Sequence, residues 1–175
     1  MNIVELVNRY NNGEKFEYNF FWRTNCYFSN WYPSDFIVDD IKYWCTEQYM
    51  MAKKAELFGD KMIYNKIMNC NSQRDIKALG RQIRNFDDSV WVKHRERIVY
   101  EGNYAKFTQN SMLRSYIIKQ KGKIIVEASP YDRIWGIGME SSDNRVYNPN
   151  NWQGTNLLGF VLMDVRDRII SESEC

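Results

Sequence analysis

The residues Thr46-Glu47-Gln48-Tyr49-Met50-Met51-Ala52-Lys53-Lys54-Ala55-Glu56-Leu57-Phe58-Gly59 leave the chain little choice but a single helix. Thr46 can cap its first turn, because a threonine oxygen accepts from backbone N–H groups that have no partner inside the helix. Gly59 is the natural stop. Glu47 and Lys54 stand seven positions apart, almost two full turns, so both side chains leave one face with about 10 Å of axial rise between them. Lys53 points about 100° away around the axis. An acid in the first turn and a base in the last satisfy the helix dipole with no function at all, and charges on helices usually form a solvated face. The same two side chains are long enough to close around a ligand, and the remainder of the sequence favours that second use.

With 175 residues, 44% of them hydrophobic and 15% aromatic, the chain can bury one substantial core and is too short to argue for two domains, so a single domain over 1–175 is expected, with 1–15 as a lead. No apolar run reaches about 18 residues and Met1-Asn2-Ile3 opens no signal peptide, so neither membrane nor export is expected and the compartment is read as cytoplasmic. Cys26, Cys45, Cys70 and Cys175 are scattered, which fits free thiols in a reducing compartment better than a disulfide framework or a zinc site. His94 is the sole histidine, which excludes a histidine-rich metal centre and the zinc-deaminase pattern. No Gly-x-Ser-x-Gly elbow accompanies it. A net charge of +2 does not by itself make a nucleic-acid binder.

Along the chain, Met1 to Tyr10 reads as a short polar lead. Phe16 to Phe20 alternates as a half-buried strand does. Phe28 to Asp35 forms an aromatic loop, and Phe36-Ile37-Val38 with Ile41-Lys42-Tyr43 flank Asp39-Asp40 as a hairpin. Lys61 to Met68 is helical. Ser72 to Arg84 is read as a helix with Lys77, Arg81 and Arg84 along one face, a stripe that is solvated or grips phosphate. Val90 to Tyr100 and Ala105 to Ile118 are two further helices, the first with Trp91, His94 and Ile98 on one side. Lys123 to Ala128 is the best strand, rich in β-branched residues. It leads into a loop, Ser129 to Gly138, that concentrates aromatic, acidic and glycine residues as site loops do. Gly136-x-Gly138 lacks the third glycine and the βαβ context of a dinucleotide fingerprint. Asn156 is a candidate cap for an amphipathic helix running from Leu157 through Ile170.

Several of these pieces resemble one family. Phe28-Ser29-Asn30-x-Tyr32-Pro33, Glu47-Gln48-Tyr49-Met50-x-Ala52-Lys53-Lys54, Leu79-Gly80-Arg81, Lys106-Phe107-x-Gln109-Asn110, Val126-Glu127-Ala128-Ser129-Pro130-x-Asp132-x-x-Trp135-Gly136-Ile137-Gly138 and Trp152-x-Gly154-x-Asn156-Leu157-Leu158-Gly159 are similar, in order, to the NADAR or YbiA-like domains. The resemblance implies an α+β fold, mostly helical around a small antiparallel sheet. It also implies an N-glycosidase that breaks a bond between ribose and an exocyclic amine, on ADP-ribosylated guanine or on early riboflavin-pathway intermediates. Trp135-Gly136-Ile137-Gly138 looks closer to the ADP-ribose branch. Where the family usually has Glu-His-Tyr this chain has Glu47-Gln48-Tyr49, and the usual Gln is Met51; both departures are expected to shape the pocket.

Cleavage at ribose C1 builds positive charge on the sugar, so an anion is needed beside C1. A desolvated lysine offers a covalent route through a Schiff base. Lys54 is therefore expected as nucleophile, Glu47 as proton shuttle and Asp132 as charge stabiliser or second acid. Trp91 and Trp135 could stack a base, while Arg23, Arg81 and the Gly136 to Gly138 backbone could hold diphosphate; Asn30, Glu127 and Asn156 complete the expected ligand set. No metal or cofactor is expected. The expected substrate is ADP-ribosylated guanine, as nucleotide or within nucleic acid, with ADP-ribose as product and a DNA ADP-ribosyltransferase toxin as functional counterpart. The alternatives are a phosphoribosylamino-pyrimidine substrate and a non-catalytic ADP-ribose-binding module.

Overall fold

The computed structural model describes Met1 to Glu174, so Cys175 and any reading of its thiol lie outside the described residues. In chain order the elements are α1 (Ile3–Asn11), β1 (Tyr18–Phe21), β2 (Phe36–Val38), β3 (Ile41–Tyr43), α2 (Thr46–Leu57), α3 (Lys61–Met68), α4 (Gln73–Gly80), α5 (Asp88–Gln109), α6 (Ser111–Ile118), β4 (Ile124–Glu127) and α7 (Leu157–Ser171), with two short 3-10 turns before α7. The chain divides into two compact units, one formed by residues 1–29 with 112–175 and the other by Asn30–Ser111. The α+β expectation holds: helices dominate and strands are few.

In the first unit, β1 and β4 pair in parallel from Tyr18↔Ile124 to Phe21↔Glu127. Parallel strands need a long connection, and here the whole second unit lies between them in sequence. Ile124, Ile125 and Val126 are all buried, as a strand covered on both faces requires. Helix α7 packs on β4 through a core that includes Leu158, Leu162 and Val165. Its Arg166, only 4% exposed, donates from Nη1 to the carbonyls of Gln120 and Lys123 at 2.9 and 2.6 Å, which fixes the turn that feeds β4.

In the second unit, β2 and β3 form the antiparallel hairpin, in register from Phe36↔Tyr43 to Val38↔Ile41. Its two turn residues, Asp39 and Asp40, both adopt left-handed backbone, φ 52° and 62°; this is the geometry that matches strand twist, with acids standing where glycine is commoner. Helix α2 packs against α3, α4, α5 and β3. It begins one residue earlier than its sequence suggests: Thr46 is the first helical residue and Cys45 caps it, its Sγ accepting from Gln48 N at 3.4 Å. Gly59 ends it as expected, with φ +70°. The two bonds Asp60 N to Ala55 O and Gly59 N to Glu56 O, 2.9 and 3.0 Å, close a Schellman cap.

Two other readings are corrected. Helix α4 stops at Gly80, so Lys77, Arg81 and Arg84 do not line one helical face; Arg84 instead turns back to grip the Asp60 carboxylate at 2.9 and 3.0 Å. Tyr100 and Ala105 belong to a single helix, because α5 runs unbroken across Gly102 and breaks only at Asn110. Gly102 serves packing there: a Cβ would approach Tyr49 Cδ1 to 2.6 Å and Thr46 Cγ2 to 3.1 Å, so its absence lets α2 and α5 approach closely.

Candidate functional site

The N-terminal half of α2 is polar in sequence and buried in fact: Thr46 is 0%, Gln48 2% and Glu47 9% exposed. A helix hidden on most sides is ordinarily apolar, so polar residues there mark a function or a network. Asn30 supplies part of that network. Its backbone carbonyl accepts from Glu47 N at 2.8 Å, and its Oδ1 accepts from Asn103 Nδ2 at 3.1 Å. Asn30, expected as a ligand residue, thus positions the backbone that carries Glu47.

Lys54 follows two turns later. Its Nζ donates to Gly80 O at 3.2 Å and lies 4.2 Å from the Phe86 ring centroid and 5.5 Å from that of Trp91. Burial pushes its pKa below the ordinary lysine value, against the opposing charges of Asp88 and Glu47. The acid and the base of α2 therefore share a face and feel each other. Lys53, one residue earlier, is a partly buried cation paired with Glu56 at 3.0 Å and Asp39 at 3.7 Å. Trp91 is buried, 8% exposed, and acts as a wall behind the Lys54 ammonium. Arg81 is exposed and caps α4 immediately after the carbonyl that Lys54 binds. Phe86, to which no role was given from sequence, is the ring nearest the ammonium; its place after the Arg84-Asn85 turn gave no periodic signal.

The first unit holds the other expected residues. Asp132 Oδ1 accepts from the backbone N–H groups of Ile134 and Trp135 at 2.8 and 2.7 Å, and its carbonyl accepts from Gly138 N at 3.0 Å. The carboxylate therefore builds the turn that carries Trp135, Gly136 and Gly138. At Gly136 a Cβ would come within 2.8 Å of Glu127 O, and Gly138 takes φ +67°, so both positions require glycine. Glu127 is half-buried at the end of β4, its backbone N bonded to Asn156 Oδ1 at 2.9 Å. Asn156 does not cap α7 with its side chain as expected. It is 0% exposed, and its Nδ2 reaches Ile125 O at 2.9 Å, so both ends of its amide serve β4. Arg23 is exposed with φ 73°; its guanidinium carbon lies 5.2 Å from the Trp22 ring centre, and it lines a cleft of about 320 Å³ with Trp22, Glu140 and Ser141.

Of the two departures from the family pattern, Gln48 faces α3: its Oε1 accepts from Trp44 N at 3.0 Å, and its Nε2 donates to Ile67 O at 3.1 Å. It ties α3 and the residue that follows β3 to α2. Met51 lies against Gly80, where a Cβ would meet its Sδ. Among the described residues Cys26, Cys45 and Cys70 form no disulfide, and burial drives Cys45 up to about 12, which makes it unreactive. Among the described residues no helix is long and apolar enough to cross a membrane.

Comparison with known proteins gives a family match and close relatives. Residues 20–170 match the NADAR domain. The N-glycosidase R617 of Acanthamoeba polyphaga mimivirus is 47% identical over 145 residues, covering 80% of this chain and 85% of that protein. Protein irg-1 of Caenorhabditis elegans is 34% identical over 170 residues, 88% of this chain and 80% of its own length. The solution structure of Escherichia coli YbiA superposes with a TM-score of 0.73 at 23% identity, over 91% of this chain and 89% of that one, a likeness of fold.

Proposed function

The chain belongs to the NADAR domain family, and on that premise we propose that it is an N-glycosidase hydrolysing the bond between ribose C1 and an exocyclic base amine, with ADP-ribosylated guanine as its substrate. The name borne by the mimivirus relative supports the reaction class. The observation that carries the reading is the state of Lys54: a half-buried amine, lowered in pKa by desolvation and set against Phe86 and Trp91 on the same helix face as Glu47. Desolvation is what a lysine needs to be a nucleophile near neutral pH.

In this mechanism the neutral Lys54 Nζ adds to the C1=N double bond of the ring-opened ribosylamine and gives a geminal diamine. The C1–N bond to guanine then breaks as Glu47 delivers a proton to the leaving amine. A Schiff base between Lys54 and C1 remains. Water adds to C1, a proton passes back to Glu47, and Lys54 leaves as ring closure gives ADP-ribose. Substrate plus water yields ADP-ribose plus guanine. Within the same unit as Lys54, Arg81 is the proposed diphosphate contact, and a DNA ADP-ribosyltransferase is the activity such an enzyme would reverse.

Borohydride added during turnover of an ADP-ribosylated guanine oligonucleotide is expected to trap the sugar on Lys54. Activity in Lys54→Ala, with no adduct in the parent protein, would refute the imine. Parallel incubation with the phosphoribosylamino pyrimidine separates the alternatives: turnover of that compound alone reassigns the substrate. Binding of ADP-ribose with turnover of neither leaves a non-catalytic module.

A further inference from the structure

One buried cation has no place in this chemistry as described. Lys106 on α5 is 0% exposed, and its Nζ lies 5.1 Å from the Phe107 ring centroid and 5.7 Å from that of Tyr32. Removing an ammonium from water is costly and is retained where a fixed charge is needed. Its position is defined by its neighbours. Asn103, one turn earlier on the same face of α5, donates to Asn30 Oδ1; Asn30 O receives Glu47 N; Tyr32, two residues after Asn30, lies under the Lys106 ammonium. The charges of Glu47 and Lys106 both act on the Cys45 thiol at the start of α2. The linked bonds from Asn103 through Asn30 to Glu47, the Tyr32 ring under the ammonium and the shared influence on Cys45 thus place Lys106 at the helix start from which Glu47 projects.

We propose that Lys106 is a positioning residue for the reaction: its buried ammonium, held between Tyr32 and Phe107, fixes the Glu47 carboxylate at the start of α2 in the placement that proton delivery requires. The segment Asn30 to Tyr32 is the bracket, tied to Glu47 through backbone, to Asn103 through an amide and to Lys106 through a ring. Lys106 acts through Glu47 and is distinct from the proposed nucleophile, Lys54. The kinetic arm of its test rests on the N-glycosidase reading; the spectroscopic arm does not.

The decisive variant is Lys106→Met, which keeps chain length and removes charge. An apolar replacement of similar volume is neutral or stabilising when the buried ion is not there for the fold. The expected result is a melting temperature equal to or above the parent's, kcat lower by about 100-fold, the scale of one positioned proton-transfer group, and KM within about threefold. Combined with Glu47→Gln, it should add almost nothing to the loss from Glu47→Gln alone, because residues acting as a unit are not additive. In 13C-labelled protein, the Glu47 carboxyl resonance, identified by its disappearance in Glu47→Gln, should move in Lys106→Met. Near-parental kcat overturns the proposal, as does joint loss of melting temperature and activity or a double variant that multiplies the two losses. If the parent protein turns over no ribosylamine, the function reading falls while the carboxyl resonance still decides whether Lys106 holds Glu47; an unmoved resonance sinks the proposal by itself.

Discussion

The face of α2 that bears Glu47 and Lys54 and the loop that bears Asp132 carry the same kinds of residue but hold them in opposite ways. In α2 the regular backbone does the positioning, so Lys54 needs a single hydrogen bond, to Gly80 O, and keeps an amine capable of chemistry. In the loop from Ser129 to Gly138 the backbone is irregular, and side chains do the positioning: Asp132 bonds two backbone amides, and Asn156 fastens β4 with both ends of its amide. Regular structure leaves side chains for reaction, whereas irregular structure uses them to exist. Replacements on α2 should therefore remove activity without stability, and replacements around the loop should remove stability first.

The largest expected effect is at Lys54. Lys54→Met should lower kcat by at least about 10³-fold, as loss of a covalent nucleophile does, and abolish borohydride trapping while leaving the melting temperature equal or higher. The sign of the stability change follows from linkage. The fold disfavours the charged amine, so the unfolded chain binds more protons and the Lys54 contribution rises with pH between the folded and unfolded pKa values. Below both values the charged lysine is a burden that methionine removes. Concurrent loss of fold and activity in thermal melts would erase the contrast between the two regions.

Next comes Asn156. Asn156→Ala leaves Ile125 O and Glu127 N buried without their partner, at about 1–3 kcal/mol for each group, so a denaturation midpoint reduced by about 2–4 kcal/mol of stability is expected. Any activity that survives should show nearly parental KM, since both ends of the amide are taken up by β4. A variant with full stability and a raised KM would return Asn156 to the ligand set.

A smaller effect concerns pH. The catalytic rate should rise with pH through an inflection below 10.5, the ordinary lysine value, because burial lowers Lys54. Asp88 opposes that shift, so Asp88→Asn should move the inflection further down, measured from the pH dependence of kcat on a saturating substrate. An upward movement would show that Asp88 does not act on Lys54 through charge.

Much of the second unit was legible in sequence because its signals are local. The hairpin around Asp39-Asp40, α3 and the glycine stop at Gly59 follow from turn chemistry and periodicity, and Glu47 and Lys54 share a face by helical arithmetic alone. What escaped depends on distant partners. The sequence divides Val90 to Tyr100 from Ala105 to Ile118, yet Gly102 between them is helical and is the contact surface for Tyr49 and Thr46. Arg84 looked like the end of a cationic stripe and proved to be the partner of Asp60, whose carboxyl it holds far below the usual range. Lys106 stood in a recognised motif, yet its burial was invisible, since no periodicity distinguishes a buried lysine from a solvated one.

The finest test lies at Gln48, where this chain departs from the family's usual histidine. Its amide makes an acceptor bond to Trp44 N and a donor bond to Ile67 O, both directed away from the Lys54 face. A histidine of suitable tautomer can accept at one nitrogen and donate at the other, so Gln48→His can keep one of each with some change of reach. The expected cost is about 1 kcal/mol, typical for a tolerated interior change. The ratio of kcat/KM for ADP-ribosylated guanine over the phosphoribosylamino pyrimidine should stay within about threefold, under 1 kcal/mol of discrimination. A tenfold change in that ratio would mean that the α3 side of α2 communicates with the sugar after all, and that the division between a reacting face and a supporting face is drawn in the wrong place.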